Sequence, residues 1–130
     1  MTDRRPERIY GILVKDGRVF LRREGDSFRL PGGLFPPLAD HRKNELKALL
    51  YDQLGIIADA IWAQGAFDYQ APGEDRPYFS GFYSVWTWEG EIPPDAGQWL
   101  TKQEIMDSNL VPSLRILLYS VLETLALRTT

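Results

Sequence analysis

Apolar and polar positions along the chain divide it into alternating strand-like and helix-like stretches. Ile9 to Val14 is almost continuously apolar and predicts a strand, and Asp16-Gly17 supplies a tight turn. Arg18 to Arg23 then alternates around Val19 and Leu21, as the partner strand of a hairpin would. Glu24 to Ser27 is polar and turn-like, and Phe28-Arg29-Leu30 is a short extended piece held by Pro31. Gly32 and Gly33 open a loop that continues through Pro36 and Pro37. From His41 to Leu54 the period changes: Leu46, Leu49, Leu50 and Leu54 form a stripe at helical spacing, with Asp40 as the N-cap and Gly55 just past the end.

Ile56 to Phe67 predicts one or two strands, and Ala71 to Pro77 a loop. Tyr78 to Trp88, rich in aromatics and poor in helix signals, predicts a long strand. Gly90 to Gly97 is a second loop with prolines at 93 and 94. Thr101-Lys102-Gln103-Glu104 fits a capping box that starts a short helix. From Pro112 onward, Leu114, Leu117, Leu118, Val121, Leu122 and Leu125 form one apolar face of a final helix. The order strands, helix, strands, short helix, helix indicates an α/β protein with a mixed sheet. With no repeat and no dividing linker, residues 1–130 are expected to form one domain, and 1–8 a flexible N-terminal extension.

Composition narrows the chemistry. The absence of cysteine removes disulfides, thiol catalysis and cysteine-based zinc sites, and a single histidine, His41, cannot build a multi-histidine metal cluster. His41 beside Asp40 is a surface residue rather than a general base. A net charge of −3 lacks the basic footprint of a protein that binds long nucleic acid, whereas a small phosphorylated nucleotide needs only a local cluster of cations. No stretch approaches the roughly 18 apolar residues of a membrane span, so a soluble, cytoplasmic protein is expected.

Leu30-Pro31-Gly32-Gly33, followed by a helix ending at Leu54-Gly55-Ile56, resembles the signature of the Nudix hydrolase superfamily, the MutT-like domains. The strand Val19-Phe20-Leu21-Arg22-Arg23 with Phe28 before that loop, and Gln98-Trp99-Leu100-Thr101 through Glu104-Ile105, are similar to further segments of the family in the same order. The resemblance covers residues 9 to about 125 and implies a Nudix-like α/β/α sandwich with a central mixed sheet. It also implies Mg²⁺ or Mn²⁺ as cofactor, because hydrolysis of a nucleoside-diphosphate linkage needs divalent cations to neutralise phosphates and activate water. In the family, glutamates on one face of the box helix hold the metal.

Here the sequence departs from the family. The pattern calls for a glycine, five residues, Glu, seven residues, Arg-Glu, an apolar residue, any residue, Glu-Glu, any residue, Gly and an apolar residue. Counting forward from Gly33, the Arg-Glu pair falls on Lys47-Ala48 and the Glu-Glu pair on Tyr51-Asp52. Counting back from Gly55, they fall on Ala48-Leu49 and Asp52-Gln53, and the first glutamate on Ala39 or Asp40 depending on register. Neither count restores the Arg-Glu pair, and both leave Asp52. Glu45 lies seven residues before Asp52, on a similar face but about 10 Å away along the helix, too far for both to grip one ion directly. Asp95, Glu74 and Asp75 on loops could add oxygens.

Each candidate has two readings. Asp52 and Glu45 are metal ligands or solvated helix residues. Gly32 and Gly33 shape a ligand loop or a tight turn that the fold needs in any case. Arg22, Arg23 and Arg29 lie near that loop and could contact phosphates, or form a solvated sheet edge. Among Phe67, Tyr69, Tyr78, Phe79, Phe82, Tyr83, Trp86 and Trp88, most are core, and one or two could line a base-stacking pocket. Ile116, Tyr119 and Leu127 lie off the main stripe of the last helix and could support a homodimer. The functional expectation is a Nudix-fold nucleotide-binding protein with weak or no hydrolysis. The alternatives are a divergent Mg²⁺-dependent hydrolase acting through Glu45 and Asp52, and a protein-interaction or structural module.

Overall fold

A computed structural model describes the backbone of residues 5–128 and the side chains of residues 5–124. Strands β1 (Arg8–Lys15), β2 (Arg18–Glu24), β3 (Ser27–Arg29) and β4 (Gly32–Leu34) precede helix α1 (Arg42–Leu54). There follow β5 (Ile57–Ala58), β6 (Ile61–Tyr69), β7 (Tyr78–Val85), β8 (Trp88–Glu89) and β9 (Gly97–Leu100), then helices α2 (Lys102–Asp107) and α3 (Pro112–Arg128). The main sheet runs β3-β2-β1-β7-β6, with β4 on β1 and β9 on β2. It is mixed: β1 runs parallel to β7 and antiparallel to β2 and β4. A small β5–β8 ribbon stands apart.

Strand β1 is apolar on both faces because it is covered on both. Ile9 and Leu13 pack with Phe20, Leu46, Leu50 and Leu54 beneath α1. Tyr10, Ile12 and Val14 pack with Leu114, Leu118, Val121 and Leu122 of α3 on the opposite face. Two helical layers thus sandwich the sheet, as expected. Leu46 and Leu50 are fully buried, and a leucine so placed contributes about 2 kcal/mol relative to an exposed one. Among the described residues, no helix is long and apolar enough to cross a membrane.

Several local expectations need correction. The Gly32-Gly33 stretch is a strand: Gly32 pairs with Tyr10 and Gly33 with Ile9. Residues 97–100 also form a strand, with Trp99 opposite Phe20. The N-cap of α1 is His41, whose extended backbone (φ −119°, ψ 104°) starts the helix one residue later than Asp40 would, and no side-chain cap is made. Gly55 ends α1 in the left-handed conformation, and the Thr101–Glu104 capping box is complete. The second half of the expected N-terminal extension is built into the sheet. The Glu7 amide donates to Phe79 O at 2.8 Å, the Phe35 amide donates to Glu7 O at 3.0 Å, and Arg8 already belongs to β1. Arg5 donates to the carbonyls of Pro36 and Ala39 and lies over the Phe35 ring. Residues 1–4 and the side chains of Leu125 and Leu127 lie outside the described residues.

Candidate functional site

The apolar stripe of α1 fixes which residues flank it. With Leu46, Leu50 and Leu54 buried, a rotation of about 100° per residue puts Glu45, Leu49, Asp52 and Gln53 toward one side of the helix. Gln53 reaches Gly32 from there. Its Oε1 accepts from the Gly32 amide at 3.0 Å, and its Nε2 donates to the Gly32 carbonyl at 2.8 Å. The orientation of the amide follows from the partners, since a backbone N–H can only donate and a carbonyl only accept. Gly32 is held tightly: a Cβ there would lie 2.2 Å from Ile9 O.

A divalent cation does not fit these residues. The Gly32 carbonyl accepts from the Gln53 amide instead of facing a carboxylate. Leu49, at the position of the box glutamate in the count from Gly55, is half-buried and packs against the α1-side core. Glu45 and Asp52 are on one flank but two turns apart, with Asp52 exposed. Two of the three loop carboxylates have partners elsewhere: Glu74 pairs with Arg8 at 3.3 Å, and Asp75 accepts from the Tyr78 hydroxyl at 2.6 Å. That bond holds the Asp75 carboxyl below the usual carboxylate range. Among the described residues, no group of three or more His, Asp or Glu is placed to hold a metal ion.

The three arginines all lie on the short β2–β3 hairpin. Arg22 stands opposite Arg29 in the ladder, while Arg23 stands opposite Phe28 and lies 5.6 Å from its ring. Arg29 pairs with Glu24 at 3.1 Å and is largely shielded from solvent.

On the α3 side of the same hairpin is a cavity of about 250 Å³. Phe28, Tyr69 and Leu100 give it aromatic and apolar walls, and Asp26, Gln70 and Asn109 give it carboxylate and amide groups. Tyr69 is buried against Tyr10, ring centroids 5.7 Å apart and nearly perpendicular. Burial and the neighbouring Tyr10 push the Tyr69 hydroxyl up to about 12, and the nearby Arg29 charge opposes the shift. Phe28 in the cavity and Gly32 under α1 are four residues apart, a separation of at most about 14 Å even for extended chain.

Of the lining residues, Tyr69 was among the aromatics expected to include a stacking surface. Phe28 was expected only as part of the strand before the glycines, and Gln70 and Asn109 come from loops without a motif. The sequence placed Gln53 in the box without showing its partner. The exposed Ile116 and Tyr119 lie on the outward face of α3.

No protein-family model and no curated protein matches the chain. Solved structures do. The E. coli ORF135 protein superposes with a TM-score of 0.71 at 22% identity, over 95% of this chain and 92% of that one. A MutT NUDIX hydrolase from Burkholderia pseudomallei gives 0.67 at 20% identity, over 89% and 97%. A UDP-X diphosphatase gives 0.70 at 17% identity, over 95% of this chain and 66% of that one. At these identities what is shared is the fold, and this chain has the α/β/α sandwich of the MutT and Nudix proteins.

Proposed function

We propose that the protein binds a small phosphorylated nucleotide and hydrolyses it weakly or not at all. The observation that carries this reading is the cavity between Phe28, Tyr69 and Asn109, which combines stacking surfaces with hydrogen-bonding groups in about 250 Å³. Phosphates would extend from it toward the Gly32-Gly33 segment, with Arg22, Arg23 and Arg29 supplying positive charge along the hairpin. Weak or absent hydrolysis follows from α1, which presents Ala48, Leu49 and Gln53 where the family has metal-binding and catalytic residues. The UDP-X diphosphatase among the similar structures makes a nucleoside diphosphate linked to a second group the first ligand class to try.

The test is isothermal titration with ADP-ribose and UDP-glucose in EDTA, repeated on Phe28→Ala and Asn109→Ala. The expected result is saturable binding that either substitution weakens about tenfold or more, the effect of losing roughly 1.4 kcal/mol of contact. Binding that neither substitution alters would place the ligand elsewhere, and no binding of either probe at millimolar concentration would count against these ligands.

A further inference from the structure

The contact between α1 and β4 has an electrostatic logic of its own. A primary amide carries one acceptor and one donor group, and Gln53 turns both toward the complementary pair of a single residue, Gly32, at 3.0 and 2.8 Å. A carboxylate has the same shape and the opposite consequence. In place of Gln53 it could still accept from the Gly32 amide, but its second oxygen would face the Gly32 carbonyl oxygen with no proton between them. Two oxygens at that separation repel unless a cation lies between them. The Gly32 segment has little freedom to retreat, being paired with Tyr10 and packed so closely that a Cβ would meet Ile9 O.

We infer that the Gln53 amide takes the structural place of a divalent cation, tying the Gly32 strand to the last turn of α1 by hydrogen bonds alone. The count back from Gly55 puts Gln53 at the second glutamate of the box pattern, so exchange of one oxygen for an NH₂ group separates an ion-requiring junction from an ion-free one. Two consequences follow. The junction is indifferent to Mg²⁺, Mn²⁺ and chelators in the wild-type chain. The substitution Gln53→Glu alone makes it cation-responsive. The inference concerns the protein without ligand and stands whether or not a nucleotide is what the cavity binds.

The experiment is thermal unfolding at pH 8 of wild type, Gln53→Glu and Gln53→Leu, each in EDTA, in millimolar Mg²⁺ and in millimolar Mn²⁺, with Mn²⁺ binding followed by paramagnetic resonance. Wild-type Tm should agree in all three buffers within about 1 °C and the Mn²⁺ signal should stay that of the free ion. Gln53→Leu, which strands both Gly32 groups, should lose roughly 6 °C in every buffer. Gln53→Glu should lose a similar amount in EDTA, recover at least half of it with either cation, and diminish the free Mn²⁺ signal. Stabilisation of wild type by several degrees on adding Mg²⁺ would overturn the inference, and that comparison needs no variant. So would a Gln53→Glu protein as stable as wild type in EDTA, or one whose response to cations matches that of Gln53→Leu.

Discussion

Gly32 and Gly33 are adjacent and both have positive φ, 141° and 154°, yet the structure predicts that replacing them with alanine has unequal effects. Both substitutions force an L-residue into backbone that favours glycine, at a cost of about 1–2 kcal/mol each. For Gly33 the cost stops there, because a Cβ would meet nothing within 4 Å. For Gly32 the new methyl would sit 2.2 Å from Ile9 O and 2.8 Å from Tyr10 Cα, both backbone atoms of the central strand. Relief requires β4 to move off β1, which loosens the Tyr10–Gly32 pairing and the two Gln53 bonds, worth about 1 kcal/mol each. Gly32→Ala should therefore cost about 2–4 kcal/mol more than Gly33→Ala. Urea denaturation at 25 °C reads the difference as a lower midpoint at unchanged slope. Equal losses for the two variants would refute the claim that β4 is locked between β1 and α1.

Other expectations are smaller in scope. Tyr69, with its hydroxyl raised to about 12, favours the neutral form in the folded state. Its contribution of about 2–3 kcal/mol at most is fully present below pH 10, the unfolded value, and is lost as pH rises from 10 through 12. Tyr69→Phe should flatten the stability profile in that window, and an unchanged alkaline limb would contradict the burial argument. Thr101→Ala removes an acceptor for the Glu104 amide at 3.2 Å and should cost about 1 kcal/mol by denaturant midpoint. Glu104 accepts from the Thr101 amide, which lowers its pKa, so its share of the cap should persist above the usual carboxylate range and fade as pH falls through the lowered value.

The elements legible in the sequence were those whose signals are local. Asp16-Gly17 marks the β1–β2 turn, the leucine stripe and Gly55 frame α1, and Thr101 with Glu104 starts α2. Strands β4 and β9 were not legible because tertiary pairing makes them. Gly32-Gly33 has no side chains to alternate, and Gly97 to Leu100 is four residues placed by the edge of β2. Asp40 looked like a helix cap by residue type, but His41 has the extended backbone that the capping position requires. The site shows the same division. That no Arg-Glu pair stands at the expected spacing before Gly55 could be read by counting along the chain, whereas the bond partners of Gln53 depend on where β4 docks. The cavity assembles residues 26–28, 69–70, 100 and 109 from separate segments, and no spacing rule links them.

The proposed nucleotide binding needs no metal and leads to little or no turnover. One calorimetric comparison addresses it most directly: ADP-ribose titrated into the protein in EDTA and again in Mg²⁺ or Mn²⁺. Metal-independent binding should give the same saturable heat in each buffer, returning to baseline after every injection. Binding confined to the metal-containing buffers, followed by sustained heat from Mg²⁺-dependent turnover at ordinary enzyme rates, would contradict it.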